Sequence, residues 1–211
     1  MIVTIDGHSG SGKGTAGRAV AKELGFKFLD TGLLFRAVGF KMLKLGLPFD
    51  DEGIATGVAE GLAPEDMEAP ELRQEEVGIA ASKIGLLPKV RFALLNYMRE
   101  FAQQDPGAVL DGRDIGTVVC PGADVKFFFD SRVEVRAERR FKELVERGED
   151  VQFDTVLEEM RARDHRDSTR KIGPTIPAKD AIIIDTSDMT INAVVSEVLC
   201  YIERYQADRQ G

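Results

Sequence analysis

The 211-residue chain has no tryptophan and only two cysteines and two histidines. Cys120 and Cys200 have neither the spacing of zinc-binding cysteines nor the density of a disulfide scaffold. We therefore expect two reduced thiols in or near the core. No apolar run approaches the length that a bilayer-spanning helix needs, and no basic and apolar leader precedes the first β-type run. These absences predict a cytoplasmic protein without a membrane partner. We also expect a monomer.

The chain also lacks an excess of positive charge. Its formal net charge is −8 and its pI is about 5.0. A general nucleic-acid binder depends on basic surface for its affinity, so that class of partner is not expected. A small anionic ligand stays possible, because it depends on the local placement of charge and not on the total.

Two families of nucleotide-dependent proteins are missing their sequence signatures. No N-K-x-D motif for reading guanine occurs, which argues against a GTPase. The letters H-R-D do occur at 165–167, but they lie in a charged helical run without the other protein-kinase motifs. The chain is therefore predicted to be neither a GTPase nor a protein kinase.

One glycine-rich segment, residues 7–15, is present where a phosphate-binding loop would be expected. Its sequence is G-H-S-G-S-G-K-G-T, between an apolar β-type run and a helical pattern. Its glycines allow backbone N–H groups to surround a phosphate, and Lys13 adds a charge for the β- and γ-phosphates. The spacing fits G-x(4)-G-K, although Gly14 occupies the next position and the hydroxyl comes at Thr15.

Apolar runs alternate with helical patterns along the chain, which predicts a three-layer α/β fold. Continuous apolar runs are typical of parallel strands covered on both faces. Each run reaches an aspartate at its end, and ligands of such sheets bind beyond the carboxyl ends of the strands. The five predicted strands are 2–6, 26–30, 108–111, 125–130 and 181–185.

Two segments interrupt this alternation. Residues 46–71 are rich in glycine, proline and acidic residues, which predicts short helices and turns. Residues 132–171 carry eleven basic and eleven acidic side chains, typical of a solvated helix pair divided by a turn at 148–150. Near its end, helical spacing predicts four charged residues on one face as an anion site. They are Arg163, Arg166, Asp167 and Arg170.

The chemistry follows from abundant arginines and the lack of an obvious general base. A phosphate acceptor is largely a dianion at neutral pH and needs no base, because it is itself the nucleophile. Catalysis then consists of bringing two polyanions together and neutralising the charge that develops. The sequence favours phosphoryl transfer to a small phosphorylated acceptor.

Four further motifs follow the glycine-rich segment at residues 7–15. They are D-T-G-L-L-F-R at 30–36, the segment at 71–91, D-G-R-D-I-G-T-V-V at 111–119 and R-D-H-R-D-S-T-R at 163–170. Together the five motifs resemble those of the bacterial cytidylate kinases, a family of P-loop nucleoside monophosphate kinases. The resemblance covers nearly the whole chain and keeps the order of the motifs.

This resemblance implies ATP-dependent phosphorylation of CMP and dCMP to CDP and dCDP, with Mg²⁺ as the cofactor. The implied catalytic residues are Lys13, Arg36, Arg113 and Arg163. The implied ATP-binding residues are Gly7, Ser9, Gly10, Ser11, Gly12, Lys13, Gly14 and Thr15. The implied CMP-binding residues are Thr31, Phe35, Arg36, Ser82, Arg91, Arg113, Asp114, Arg163, Asp167 and Arg170. Thr15 is the implied Mg²⁺ ligand, and Asp111 is a candidate to act on the ion through water.

The resemblance also implies a five-stranded parallel sheet with helices on both faces, in a single P-loop kinase domain. Its core would comprise residues 1–40, 72–131 and 172–211, with a monophosphate-binding insert at about 41–71 and a lid with flanking helices at about 132–171. The insert is shorter than in many family members, so we expect helices and loops only. Phe35 also replaces the commoner tyrosine.

Alternatives remain for the acceptor and for individual residues. The chain could phosphorylate AMP, UMP or a sugar acid, or it could be a nucleotide-binding regulator without turnover. Asp30 and Asp111 could cap helices or pair with arginines, and His8 could serve only to shape its loop. The motifs at 111–119 and 163–170 favour CMP, and Lys13, Arg36, Arg113 and Arg163 favour turnover.

Overall fold

The computed structural model describes residues 1–209 of the chain. It contains one five-stranded sheet in the order β2-β3-β1-β4-β5, and the pairs β1–β3, β1–β4 and β4–β5 are parallel. The strands are β1 (Ile2–Gly7), β2 (Lys27–Asp30), β3 (Ala108–Gly112), β4 (Val125–Asp130) and β5 (Ile182–Asp185). The chain divides into two compact units, Met1–Phe28 with Ala102–Gly211, and Leu29–Phe101.

The first unit holds a core between the sheet and two helices, α1 (Lys13–Leu24) and α8 (Ile191–Asp208). Val3 and Ile5 of β1 point into this core because side chains alternate along a strand. Thr4 points to the other face, where a π-helical turn (Ile115–Val119) packs so closely that a Cβ atom on Gly116 would lie 3.0 Å from Thr4 Oγ1. Helical segments thus cover both faces of the sheet.

A pair of charged helices completes the first unit. They are α6 (Val133–Glu146) and α7 (Phe153–Thr169), and they enclose a small core of their own that includes Leu144 and Val156. Their connection contains Gly148 at φ 80°, in an exposed stretch. The predicted helix pair and its dividing turn are both present.

The second unit is helical around α2 (Thr31–Lys44) and α4 (Glu75–Ile84), which pack tightly. A Cβ atom on Gly39 would lie 3.0 Å from Ala80 Cβ, so the two backbones approach closely there. Between them come α3 (Glu52–Glu60) and two 3₁₀ turns (Pro64–Met67 and Pro70–Arg73), and α5 (Pro88–Ala102) follows. Asp51 caps α3 by accepting from the Ile54 N–H at 3.0 Å.

The predicted fold class is confirmed, and each predicted strand lies within one residue of its observed bounds. The segment 46–71 forms helices and turns without a strand in the described chain, as its composition predicts. The boundaries of the core, insert and lid remain predictions, and residues 210 and 211 of the predicted core lie outside the described residues.

Candidate active site

The loop between β1 and α1 has the backbone geometry of a phosphate-binding turn. Gly12 adopts φ 85° as the residue before the first turn of α1, a conformation that a side chain would strain. A Cβ atom on Gly7 would lie only 2.4 Å from the Phe129 carbonyl oxygen, so the loop leaves the sheet at a point that only glycine fits. Lys13 Nζ donates to the His8 carbonyl at 2.9 Å, which brings the ammonium group back over the loop.

The other predicted ATP-binding residues follow in the same turn. Ser11 is buried, and its carbonyl accepts from Thr186 Oγ1 at 3.0 Å, which anchors the middle of the loop. The helix N-terminus contributes partial positive charge at this point. The loop therefore brings together the residues predicted for the ATP phosphates: Gly7, Ser9, Gly10, Ser11, Gly12, Lys13, Gly14 and Thr15.

Oxygen donors suited to Mg²⁺ lie beside this loop. The Asp111 carboxylate at the end of β3 is buried, and its Oδ2 would be 3.3 Å from a Cβ atom on Gly14, next to the exposed Thr15. No group of three or more His, Cys, Asp or Glu side chains among residues 1–209 could hold a metal. Mg²⁺ bound with nucleotides takes only one or two protein oxygens and completes its shell with phosphate and water. Thr15 and Asp111 fit such an ion.

Asp6 organises the segment after β3, a role that the sequence did not indicate. Its two carboxylate oxygens accept the backbone N–H groups of Ile115 at 2.8 Å and Gly116 at 2.7 Å. Burial raises the pKa of Asp6 to about 6, although both hydrogen bonds and the charge of Lys13 favour ionisation. The carboxylate holds the start of the π-helical turn and so fixes the backbone that follows Arg113 and Asp114.

Five of the predicted CMP-binding side chains meet between β3 and the end of α7. Arg113 Nε lies 3.2 Å from Asp167 Oδ2, and Arg163 Nε lies 3.9 Å from the same oxygen. Arg170 Nη2 lies 3.8 Å from Asp114 Oδ1, and its Nε donates to the Gly173 carbonyl. The carboxylates hold the guanidinium groups in place, so the structure supports an anion site at this position.

Arg166 differs from the prediction that put four charged residues on one face. Asp167 is buried and Arg163 is half-buried, whereas Arg166 is exposed to solvent. Helical spacing defines a broad face of α7, and only the part of that face with Arg163 and Asp167 is turned toward Arg113. The predicted cluster therefore consists of Arg163, Asp167 and Arg170, without Arg166.

Arg36, predicted to bind the CMP phosphate, has a fixed position in the second unit. Its Nη1 donates to the carbonyls of Leu72 at 2.6 Å and Gln74 at 3.2 Å. A Cβ atom on Gly78 would lie 2.9 Å from Arg36 Nη2, so the guanidinium group occupies the space that a side chain at position 78 of α4 would need. Gly78 is a functional candidate that the sequence alone did not indicate.

The remaining predicted CMP-binding residues of this unit lie on three helices. Thr31 is the buried first residue of α2, and Ser82 is half-buried on α4. Arg91 on α5 places its guanidinium carbon 5.5 Å from the centre of the Phe35 ring, within the range of a cation–π contact. Asp30 occupies the position before α2, but its side chain makes no capping hydrogen bond.

A parallel sheet, a glycine-rich loop with a lysine before a helix, and clustered arginines define a class of protein. They are the features of P-loop nucleotide-binding proteins that transfer phosphoryl groups. Two solved structures share the fold at low sequence identity. A gluconokinase from Sinorhizobium meliloti 1021 aligns with a TM-score of 0.54, 17% identity, and coverage of 99% of this chain and 95% of the other. An uncharacterised protein from Eubacterium ventriosum aligns with a TM-score of 0.56 and 15% identity over 97% of this chain and 98% of the other.

The sequence comparisons define the family more narrowly. The model of the cytidylate kinase family matches residues 3–204. A cytidylate kinase of Paramagnetospirillum magneticum is 50% identical over 201 residues, which cover 94% of this chain and 95% of the relative. A cytidylate kinase of Brucella ovis is 45% identical over 211 residues, which cover 100% and 96%. The chain belongs to the cytidylate kinase family.

Among residues 1–209 we find no helix with the length and apolar character that crossing a bilayer requires.

Proposed function

We propose that the chain transfers the γ-phosphoryl group of ATP to CMP or dCMP and forms ADP with CDP or dCDP. The observation that carries this proposal is the cluster of Arg113, Asp114, Asp167 and Arg170 after β3, in a chain of the cytidylate kinase family. It combines guanidinium groups that match phosphate with a carboxylate that matches an amino group.

The donor phosphates bind at the loop between β1 and α1. Backbone N–H groups and the helix N-terminus surround them, and Lys13 neutralises the charge that develops on the transferred group. The family generally uses ATP with Mg²⁺. When bound, that ion would offset the negative charge of the phosphates, and Thr15 and Asp111 are the residues that would hold it.

The acceptor residues divide into three roles. Arg36, Arg113 and Thr31 bind the CMP phosphate. Arg163 and Asp167 contact the ribose, and Arg163 also acts on phosphate as a catalytic residue. The residues assigned to the base are Ser82, Arg91, Asp114 and Arg170, and Phe35 is also assigned to CMP binding.

No general base is required for this reaction. An oxygen of the CMP phosphate attacks the γ-phosphorus of ATP in line with the leaving oxygen. The bond from that phosphorus to the β–γ bridging oxygen breaks, and ADP carries away the electron pair. The arginines and Lys13 stabilise the negative charge during the transfer, and this charge compensation accounts for the catalysis.

The test is an ADP-release assay with CMP, dCMP, UMP, AMP and gluconate as acceptors. We expect CMP and dCMP to support turnover far above the others. Lys13→Ala is the control, since a folded variant should lose turnover by about two orders of magnitude or more. A preference for AMP or gluconate would show that CMP is not the acceptor. Lack of turnover with every acceptor would support the alternative that the chain is a nucleotide-binding regulator.

The remaining parts of the proposal concern the state of the protein. We propose that it acts as a monomer in the cytoplasm and uses only small-molecule partners. Its pI of about 5.0 supports the lack of a nucleic-acid partner, because phosphate backbones would be repelled by the acidic surface.

A further inference from the structure

Arg136 on α6 is a buried cation to which none of these roles applies. Only 3% of its surface is exposed. A buried guanidinium group is costly unless each part of it has a partner, so its surroundings indicate what it holds together.

Three elements supply partners to this one side chain. Arg136 Nε donates to the Ser131 carbonyl at 2.8 Å, before α6. Its Nη1 donates to the Ser9 carbonyl at 3.1 Å in the phosphate-binding loop, and its Nη2 donates to Asp164 Oδ2 at 2.6 Å on α7. The planar fork of arginine suits this arrangement, because its three separate nitrogen atoms each donate to a different partner, whereas lysine has a single nitrogen.

Asp164 also faces the loop. Its Oδ1 lies 3.4 Å from His8 Nδ1. Burial disfavours its charge, but hydrogen bonds from His8 and Arg136 outweigh that effect and lower the pKa of the carboxyl group. The loop therefore touches this ion pair at both His8 and Ser9.

The same contact is closely packed. A Cβ atom on Gly10 would lie 3.2 Å from Met160 Cε of α7 and 3.3 Å from Arg136 Cβ. Residues 8–10 of the loop thus rest directly on α6 and α7. Arg163, the predicted catalytic arginine, precedes Asp164 in the same rigid helix.

We propose that Arg136 and Asp164 are positioning residues that set the phosphate-binding loop in register with the helix that carries Arg163. The proposal rests on the proposed function for its catalytic consequence. Arg136 fixes the loop through the Ser9 carbonyl and fixes α7 through Asp164. Lys13 from the loop and Arg163 from α7 are thereby held in position to contact the same phosphates. Misplacement of either group by about 1 Å costs up to a hundredfold in rate.

The experiment measures the affinity for a non-hydrolysable ATP analogue, together with kcat and KM for ATP. Arg136→Met should weaken analogue binding and lower kcat by about tenfold each in the folded protein. The analogue affinity and kcat of Arg136→Lys should lie between those of Arg136→Met and those of the wild type. Arg136→Met combined with Asp164→Asn should be no worse than the worse single variant, because both remove one connection.

The chain offers a matched control between the same two helices. Arg161 Nη2 on α7 lies 2.8 Å from Glu134 Oε1 on α6, with 56% and 53% of the side chains exposed. Exposed ion pairs contribute little, so Arg161→Met and Glu134→Gln should change affinity and kcat by less than about twofold.

The outcomes are distinct. A folded Arg136→Met protein with wild-type affinity and kcat would show a role in stability alone and overturn the proposal. If Arg136→Met does not fold, Asp164→Asn decides in the same way. A wild type that binds the analogue but does not phosphorylate CMP would overturn the proposed function. The analogue affinities of the single and double variants would still test whether Arg136 and Asp164 connect the loop to α7.

Discussion

At the scale of single residues, Asp114 is the candidate for reading the base. Cytosine presents an amino donor where uracil presents an oxygen acceptor, so a carboxylate attracts the first and repels the second. In the structure Asp114 is buried and lies 3.8 Å from Arg170 Nη2. In the proposed function, Arg170 and Arg91 supply donors for the ring nitrogen and O2 of cytosine, both of which are acceptors.

We predict that Asp114→Ala lowers kcat/KM for CMP more than for UMP and narrows their ratio by about tenfold, since a good base contact contributes roughly 1–3 kcal/mol of discrimination. Steady-state kinetics with both acceptors, in the variant and the wild type, measures this ratio. An unchanged ratio would mean that Asp114 does not read the base, even if the kinase activity stands.

Asp6 leads to a prediction about pH. Its folded pKa of about 6 lies above the usual 3.8, so the folded state holds a proton that the unfolded chain has released between those values. Its contribution to stability is therefore complete below pH 3.8 and is lost as the pH rises through 6. A shift of about two units corresponds to about 3 kcal/mol.

The measurement compares urea unfolding of the wild type and Asp6→Asn from pH 4 to pH 7. The free energy of unfolding of the wild type should fall by about 3 kcal/mol relative to the variant as the pH rises. The comparison cancels the other carboxyl groups, such as Asp164 and Asp124, whose pKa values are lowered. A difference that is constant over this range would contradict the raised pKa of Asp6.

At the scale of elements, the contact between α2 and α4 determines the position of Arg36, the residue that we propose to bind the CMP phosphate. Gly78 leaves room for the end of Arg36, and a methyl group there would displace the flexible guanidinium group before it moved any backbone. Alanine also favours a helix over glycine by about 1 kcal/mol. Gly78→Ala should therefore keep or raise the melting temperature and still raise KM for CMP by about tenfold.

Gly57→Ala is the matched control, because Gly57 lies within α3 and a Cβ atom there would meet nothing within 4 Å. It should gain helix stability without a change in KM. If the two variants had the same KM for CMP, the position of Arg36 would not depend on Gly78.

The difference between local and tertiary contacts explains which features the sequence could predict. Strands and the loop at 7–15 depend on neighbours along the chain, so apolar runs and glycine spacing locate them. The partners of Arg36 and Arg136 depend on tertiary packing, since Leu72 lies 36 residues from Arg36 and Asp164 lies 28 from Arg136. In the sequence, Arg136 is one of eleven basic residues in the charged segment 132–171, and only its burial in the structure distinguishes it from the others. Motif matching located the candidate site residues, but it did not locate the groups that hold them in position.

At the scale of the whole molecule, the distribution of buried contacts predicts where substrates change the motion. In the segment 46–71, α3 buries only Ala55 and Ala59, and the turn at 146–150 is exposed throughout. The strands of the sheet interior are almost fully buried. Segments with few buried contacts open locally at low free energy, so they exchange amide hydrogens faster than the sheet.

Substrates that bind to such segments should slow this exchange, because closure excludes water from the reacting phosphates. We expect CMP with a non-hydrolysable ATP analogue to increase protection in both 46–71 and 147–171, with little change in β1, β3 and β4. Hydrogen exchange followed by mass spectrometry measures each segment separately. CMP alone should protect 46–71 more than 147–171 if that segment binds the monophosphate, and equal exchange with and without both ligands in the two segments would show that they do not close on the substrates.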